Sequence, residues 1–344
     1  MGYIEINYFL VWKMNTLLFG IVFLISLFIY IHLHSQWKTS SELEVYDVAF
    51  SGKDDLNDMC DTKQPILIRG IFNMIDSTLE DIFETYGTYE VNVVSLDPCV
   101  GDKEKLESLL LPLSLQECLT LLQKQSCQPI QDDETPSKDE IEKDNTRESE
   151  KDEKSNHQND DQSDDRISRN TYVSWENKTF LDESGLRKGF YMNDLLLRPP
   201  LLCHREYDMY LGNEGSITPL RYTFSFRNYI HLHSGEIRIK LIPPIYSRYL
   251  RENRNDMKMI YTSPMNCWSI QDEYKKEYNK VKSVEVHMKA GDTIHIPSYW
   301  WWSISFEMVS MIENMRYYTP MNMIANSDRY VICALQNTNV KHLV

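Results

Sequence analysis

The sequence predicts a mainly β domain with flanking helices (α+β), a double-sheet jelly roll or β-barrel, carried on an amino-terminal transmembrane helix. Three observations point there. Short turn-bounded β patterns fill the carboxy-terminal half of the chain. Helical patterns with capping signals gather ahead of them. From Met14 to Trp37 there is no Asp, Glu, Lys or Arg.

The amino terminus comes first. Thr16 to Leu33 is almost unbroken apolar sequence, about the length that crosses hydrocarbon as a helix. A cleaved signal peptide has a shorter apolar region followed by small residues. Here Tyr30, Ile31, His32, Leu33 and His34 offer no such site. The reading is a tail over 1–15, a single-pass anchor over 16–34 and a polar stalk over 35–58. Lys13 precedes the span and Lys38 follows it, so the flanking charge specifies neither the membrane nor the orientation.

Residues 59–130 read as the amino-terminal part of the domain. Lys63–Phe72 is a buried strand ending at Gly70. Ser77 with Glu80 forms a capping box for a helix that Gly87 closes. Tyr89–Leu96 alternates like a strand. Lys105–Gln123 reads as two short helices split at Pro112, the second capped by Ser114 with Glu117.

The chain carries 36 Lys and Arg against 51 Asp and Glu, a net charge of −15, which argues against nucleic acid as a partner. Gln131 to Asp165 holds 15 of the acids and 5 of the bases. Residues 131–168 have almost no large apolar side chain to offset ordering entropy. They read as a disordered acidic insertion, a solvated loop rather than an interaction tail. The sequon Asn177-Lys178-Thr179 follows and matters only in a secretory lumen. Seven scattered cysteines form no CxxC, so neither a zinc knuckle nor a disulfide scaffold is indicated.

Residues 169–334 read as the jelly-roll core and 335–344 as a tail. A helical stretch from Leu181 ends at Pro199 and Pro200. Strands follow at Tyr222–Ser225, Tyr229–His233, Glu236–Ile242, Ser283–Lys289, Thr293–Ile296, Trp301–Phe306 and Met308–Tyr318. Tyr246–Asp256 is a polar, helix-like excursion between them.

Three stretches resemble the cupin-like branch of JmjC proteins, relatives of the asparaginyl hydroxylase that inhibits hypoxia-inducible factor. Gly215–Pro244 resembles the family's first metal strand. Gly291–Ile304, "GDTIHIPSYWWWSI", resembles its Gly-Asp…Ile-Pro…Trp-Trp-His run. Ile312–Pro320 resembles its final strand, and Gln64–Gly70 its first. That family holds Fe(II) with two His and a carboxylate, leaving positions open for 2-oxoglutarate and oxygen. On this resemblance the three ligand positions fall on Arg221, Thr223 and Trp302, so every ligand is replaced. The lysine that pairs with the cosubstrate falls on Ile237, with Arg238 beside it. Thr218, Asn228 and Asn314 match pocket positions, and Tyr222 and Trp300 complete the candidate pocket.

No register slip rescues the site, because the nearest His to Trp302 is His295, seven residues upstream. His231 and His233, two apart on one strand face, are the only alternative chelating pair near Arg221. If Trp302 points inward, its indole fills the space of imidazole and metal, and Arg221 stacks on it as a cation–π pair. The resemblance then implies a membrane-anchored pseudoenzyme that binds or scaffolds a protein partner and needs no cofactor. The alternatives are an Fe(II)/2-oxoglutarate oxygenase with unorthodox ligands, or a binder of a small anion through Arg221 and Thr218.

Overall fold

The structure is a computed structural model and describes residues 2–71, 77–96, 110–124 and 171–341. The acidic insertion expected over 131–168 lies outside the described residues. Fifteen strands occur among the described residues. In chain order, β1 to β6 are Tyr46–Ala49, Ile66–Arg69, Glu90–Leu96, Leu110–Ser114, Thr171–Ser174 and His204–Gly212. Strands β7 to β11 are Arg221–Tyr222, Arg227–Ser234, Glu236–Ile242, Asn253–Asn255 and Ile260–Thr262. Strands β12 to β15 are Val284–Lys289, Thr293–Ile296, Trp301–Phe306 and Ser310–Tyr318. Helices α1 to α9 are Gly2–Trp37, Lys53–Asp61, Leu79–Tyr86, Leu115–Lys124, Lys178–Glu183, Tyr191–Leu197, Lys275–Tyr278, Pro320–Ala325 and Ser327–Lys341.

Two facing sheets form the domain. The larger runs β1-β2-β13-β8-β15-β6-β5-β3-β4 and the smaller β10-β11-β7-β14-β9-β12. Pairing is antiparallel throughout except between β1 and β2. Strand alternation sorts the side chains into layers. Ile230, Leu232, Ile294 and Ile312 of the large sheet meet Ile237, Ile239, Leu241 and Ile304 of the small one. The opposite face of the large sheet, with Met209, Tyr229, Met315 and Tyr317, packs under Ile82, Phe83, Leu122 and Phe190 of the helical layer. A third, aromatic cluster covers the outside of the small sheet around Trp301, Tyr222, Tyr261 and Phe224. Gly212 permits one close approach: a Cβ there would sit 2.6 Å from the Phe306 ring.

Several local expectations need correction. Leu110–Ser114 is a strand, not a helix. As β4 it lies at the sheet edge, where Pro112 leaves no ladder bond broken. The following helix does open on Ser114 and Glu117, which cap each other reciprocally. The first capping box is Thr78 with Asp81, one residue later than expected. The stretch from Leu181 is broken at Gly185, whose φ of 75° ends the turn. The expected strand Tyr222–Ser225 is only Arg221–Tyr222, and the polar excursion ends in the strand β10. Helix α9 runs through the boundary placed at 335.

The stretch expected as a stalk is tied down. Tyr46–Ala49 pairs with β2, and Leu56 is buried. Helix α1 contains the one described segment long and apolar enough to cross a membrane, Asn15–Trp37, with mean hydropathy 2.4 and none of its apolar window buried. Its carboxy-terminal end is held at two points. The Lys63 ammonium donates to the carbonyls of Ser35 and Lys38, filling acceptors a helix end leaves open. The Trp37 indole donates to the Ala325 carbonyl at 2.9 Å.

The sequon is structural. Asn177 is buried, accepts from the Asn92 amide, and donates to Ser174 Oγ and the Met209 carbonyl. A glycan has no access to it in the folded chain.

Between large sheet and helices, His233 Nε2 donates to the Ser77 carbonyl at 2.9 Å while Nδ1 lies 3.3 Å from Glu313 Oε1. Burial opposes the imidazolium, but the Glu313 carboxylate and the Ser77 carbonyl outweigh it and raise the His233 pKa. The stability from this pair is therefore complete below the ordinary histidine value near 6.5 and is lost as pH rises through the folded value. His233→Ala is expected to cost about 3–5 kcal/mol at pH 6, because it strands a buried carboxylate. Denaturation at pH 6 and pH 8.5 checks this: the difference between wild type and variant should shrink at the higher pH.

Candidate functional site

The short strand β7 meets β14 at one register pair, Trp302 with Arg221, which places both side chains on the inner face. The approach to that pair is strained. Tyr299 adopts φ 66°, in the left-handed region, at a cost of order 1–3 kcal/mol. Its amide donates to the Thr223 carbonyl and its hydroxyl to Asn326 Oδ1, each at 2.8 Å, and these bonds hold the turn. Beyond it Trp300 and Trp302 enter the interior between the sheets, while Trp301 joins the outer aromatic cluster.

The Arg221 guanidinium carbon lies 4.4 Å from the Trp302 ring centroid, 5.0 Å from Tyr210 and 5.7 Å from Trp175. Three aromatic faces thus surround one cation, each contact worth about 0.5–2 kcal/mol. Trp302 is 1 % exposed and Trp300 is fully buried. Arg221 Nε and Nη2, both indole nitrogens and Asn228 Nδ2 are buried without a hydrogen-bond partner. All five are donors. For Arg221 the ring faces stand in for acceptors.

Beside the cage runs a polar strip. The Tyr210 hydroxyl donates to Asn314 Oδ1 at 3.3 Å, and Asn314 Nδ2 donates to Asn228 Oδ1 at 2.7 Å and to the Tyr229 carbonyl. Asp208 accepts from the amides of Asn177 and Met209. Burial raises the Asp208 pKa, against the pull of Arg316, those amides and Arg221. Arg316 pairs with Glu206 at 3.3 Å. Burial pushes the Glu206 pKa up, but Arg316, Lys178 and His204 outweigh it and hold it down to about 2.

The other candidate residues divide. Thr218 is buried, and its hydroxyl accepts from the Ile304 amide at 2.8 Å, which ties the strands together. Thr223 lies past the end of β7, and its hydroxyl bonds Ser225 Oγ at 3.0 Å. Tyr222 does not line this interior. Its ring stacks on Tyr261 at 5.1 Å in the outer cluster, because neighbours on a strand face opposite ways. Ile237 is interior, whereas Arg238 bridges Glu285 and Glu307 on the outer surface.

The histidines lie elsewhere. His231 Nδ1 bonds Thr293 Oγ1 at 2.8 Å, and His231, His233 and His295 all face the helical layer. Burial, with Arg227 nearby, pushes the His295 pKa down to about 3, so it stays neutral. Among the described residues no group of three His, Cys, Asp or Glu is placed to hold a metal. Nor do Arg221, Thr223 and Trp302, where the sequence resemblance puts the ligands, fit iron. Guanidinium and indole offer N–H donors and no lone pair, and the Thr223 hydroxyl alone is not a ligand set. Sequence reasoning missed Tyr210, Trp175 and Asp208, whose strands carry no motif.

If Trp302 fills the seat, Trp302→Ala should lower unfolding free energy by about 3–5 kcal/mol in denaturant titration. A loss under about 1 kcal/mol would show that the site collapses or hydrates freely. Compared with known protein families, residues 56–325 match the cupin-like domain. A search of curated proteins found no match. That match covers more than three quarters of the chain, from α2 through α8, and with the two facing sheets it places this protein in the cupin-like domain family.

Proposed function

We propose that this is a membrane-anchored, single-pass cupin-like protein that has lost metal-dependent catalysis and works as a binding or scaffolding module. One observation carries the reading: the Arg221 guanidinium is stacked on Trp302 at 4.4 Å, and the sequence resemblance puts both residues at iron-ligand positions. A cation in that seat repels a dication, and the buried indole takes up the volume an imidazole and metal would need. The apolar span Asn15–Trp37 supports the anchor.

Purified full-length protein should carry far less than one iron per chain. It should form no succinate from 2-oxoglutarate with oxygen and ascorbate. Stoichiometric iron together with succinate formation overturns the proposal and restores the oxygenase alternative.

The five unpartnered donors favour a second reading, in which the interior admits a small anion. The Thr218 hydroxyl accepts from the Ile304 amide and keeps its own O–H to donate. Screening dicarboxylates and inorganic phosphate by thermal shift checks it. The expected result is a rise in melting temperature for wild type and none for Arg221→Lys, which keeps the charge but loses the planar fork. No shift with either anion, or an equal shift in both proteins, removes this reading.

A further inference from the structure

We infer that helices α8 and α9, with the loop at Leu201, form a lipid-facing surface that seats the domain flush on the bilayer. The inference rests on the reading of α1 as a membrane span and names what covers the apolar face beside it. Twenty-three residues of helix, Asn15–Trp37, extend about 35 Å against a hydrocarbon thickness near 30 Å. Trp37 therefore sits at the headgroup level, where tryptophan is favoured. No flexible spacer follows, because the Trp37 indole bonds Ala325 at the end of α8 and Lys63 caps α1 from the edge of the large sheet. Whatever surrounds Ala325 must lie within reach of the headgroups.

Apolar side chains beside it are uncovered, on a face that also carries the exposed Asp328. Ile324 precedes Ala325 and is 51 % exposed. On α9, Val331, Ile332 and Leu335 are exposed along one side, as helical spacing requires of positions three and four apart. The opposite side binds the domain. Arg329 lies 4.5 Å over the Tyr261 ring, Tyr330 packs on Phe224 at 5.8 Å, and Cys333 Sγ reaches the Met257 carbonyl. Cys203 Sγ meets Met323 Sδ at 3.2 Å, which brings Leu201, 83 % exposed, to the same helix. Apolar side chains displayed around the exit of a membrane helix, on elements fixed to that exit, fit the boundary of headgroups and acyl chains.

The test uses the full chain reconstituted in phosphatidylcholine vesicles, with a photoactivatable residue at Leu335, Ile324, Leu27 or His287. Leu27 reports the span. His287 lies on β12, about 19 Å across the small sheet from β11 at ~4.8 Å per strand. The expected result is lipid adducts at Leu27, Leu335 and Ile324, several-fold above those at His287. Adducts at Leu27 without adducts at Leu335 and Ile324 overturn the docking surface and leave the span intact. Absence of adducts at Leu27 overturns both, and equal adducts at all four positions overturn the surface.

Discussion

One cross-strand pair, Trp302 with Arg221, governs the small sheet. Strand β7 pairs with β14 there, and β11 and then β10 hang from β7. Backbone bonds on either side, from Gly215 and Thr218 to Phe306 and Ile304 and from Tyr299 to Thr223, extend that joint, and side chains add to it. The indole and guanidinium do so from within, and Tyr222 on Tyr261 and Trp301 do so from outside. The cation–π contact is the smaller part of the energy. Keeping a large indole in a closed interior, rather than a void, is the larger part.

A fixed cation in that interior constrains its neighbours. Arg221 of the small sheet acts on Asp208, and Arg316 on both Asp208 and Glu206, so the interior along β6 holds two guanidinium groups and two carboxyls. Burial alone would drive Asp208 to its neutral form; the guanidinium groups and two backbone amides resist it. The other face of the same sheet carries the opposite problem, a buried Glu313 met by His233. Alternation along β15 keeps the two systems apart: Asn314 and Arg316 point one way, Glu313 and Met315 the other.

Much of the fold was legible because its strands obey period two. Glu236–Ile242, Thr293–Ile296 and Trp301–Phe306 have the bounds that alternation and turn residues indicate. What alternation could not reveal was β6. This strand lies inside the sheet between β15 and β5, yet Glu206 and Asp208 interrupt its apolar pattern, because its inner face lines the ionic strip. Pro112 misled for a related reason: it argues against a strand only where its missing N–H would face a partner. In the candidate site, the motif located Trp302 and Arg221, but strand parity excluded Tyr222. The rest of the cage, Tyr210 and Trp175, comes from strands far away in sequence.

Helix α1 and the Arg221–Trp302 pair bear on each other. Lys63 caps α1 immediately before Gln64 and β2, and β2 pairs with β13, which ends one residue before Pro297 and the tryptophans. Helix α1 is thus joined through β2 and β13 to the turn that delivers Trp300–Trp302. A catalytic pocket needs access and room for substrate exchange. On the proposed reading, a module held rigidly at a bilayer, with its interior occupied by rings and a stacked cation, gives up both and gains a fixed orientation. Fixed orientation is what a scaffold requires, since it presents the same outer surface to every partner that diffuses along the membrane.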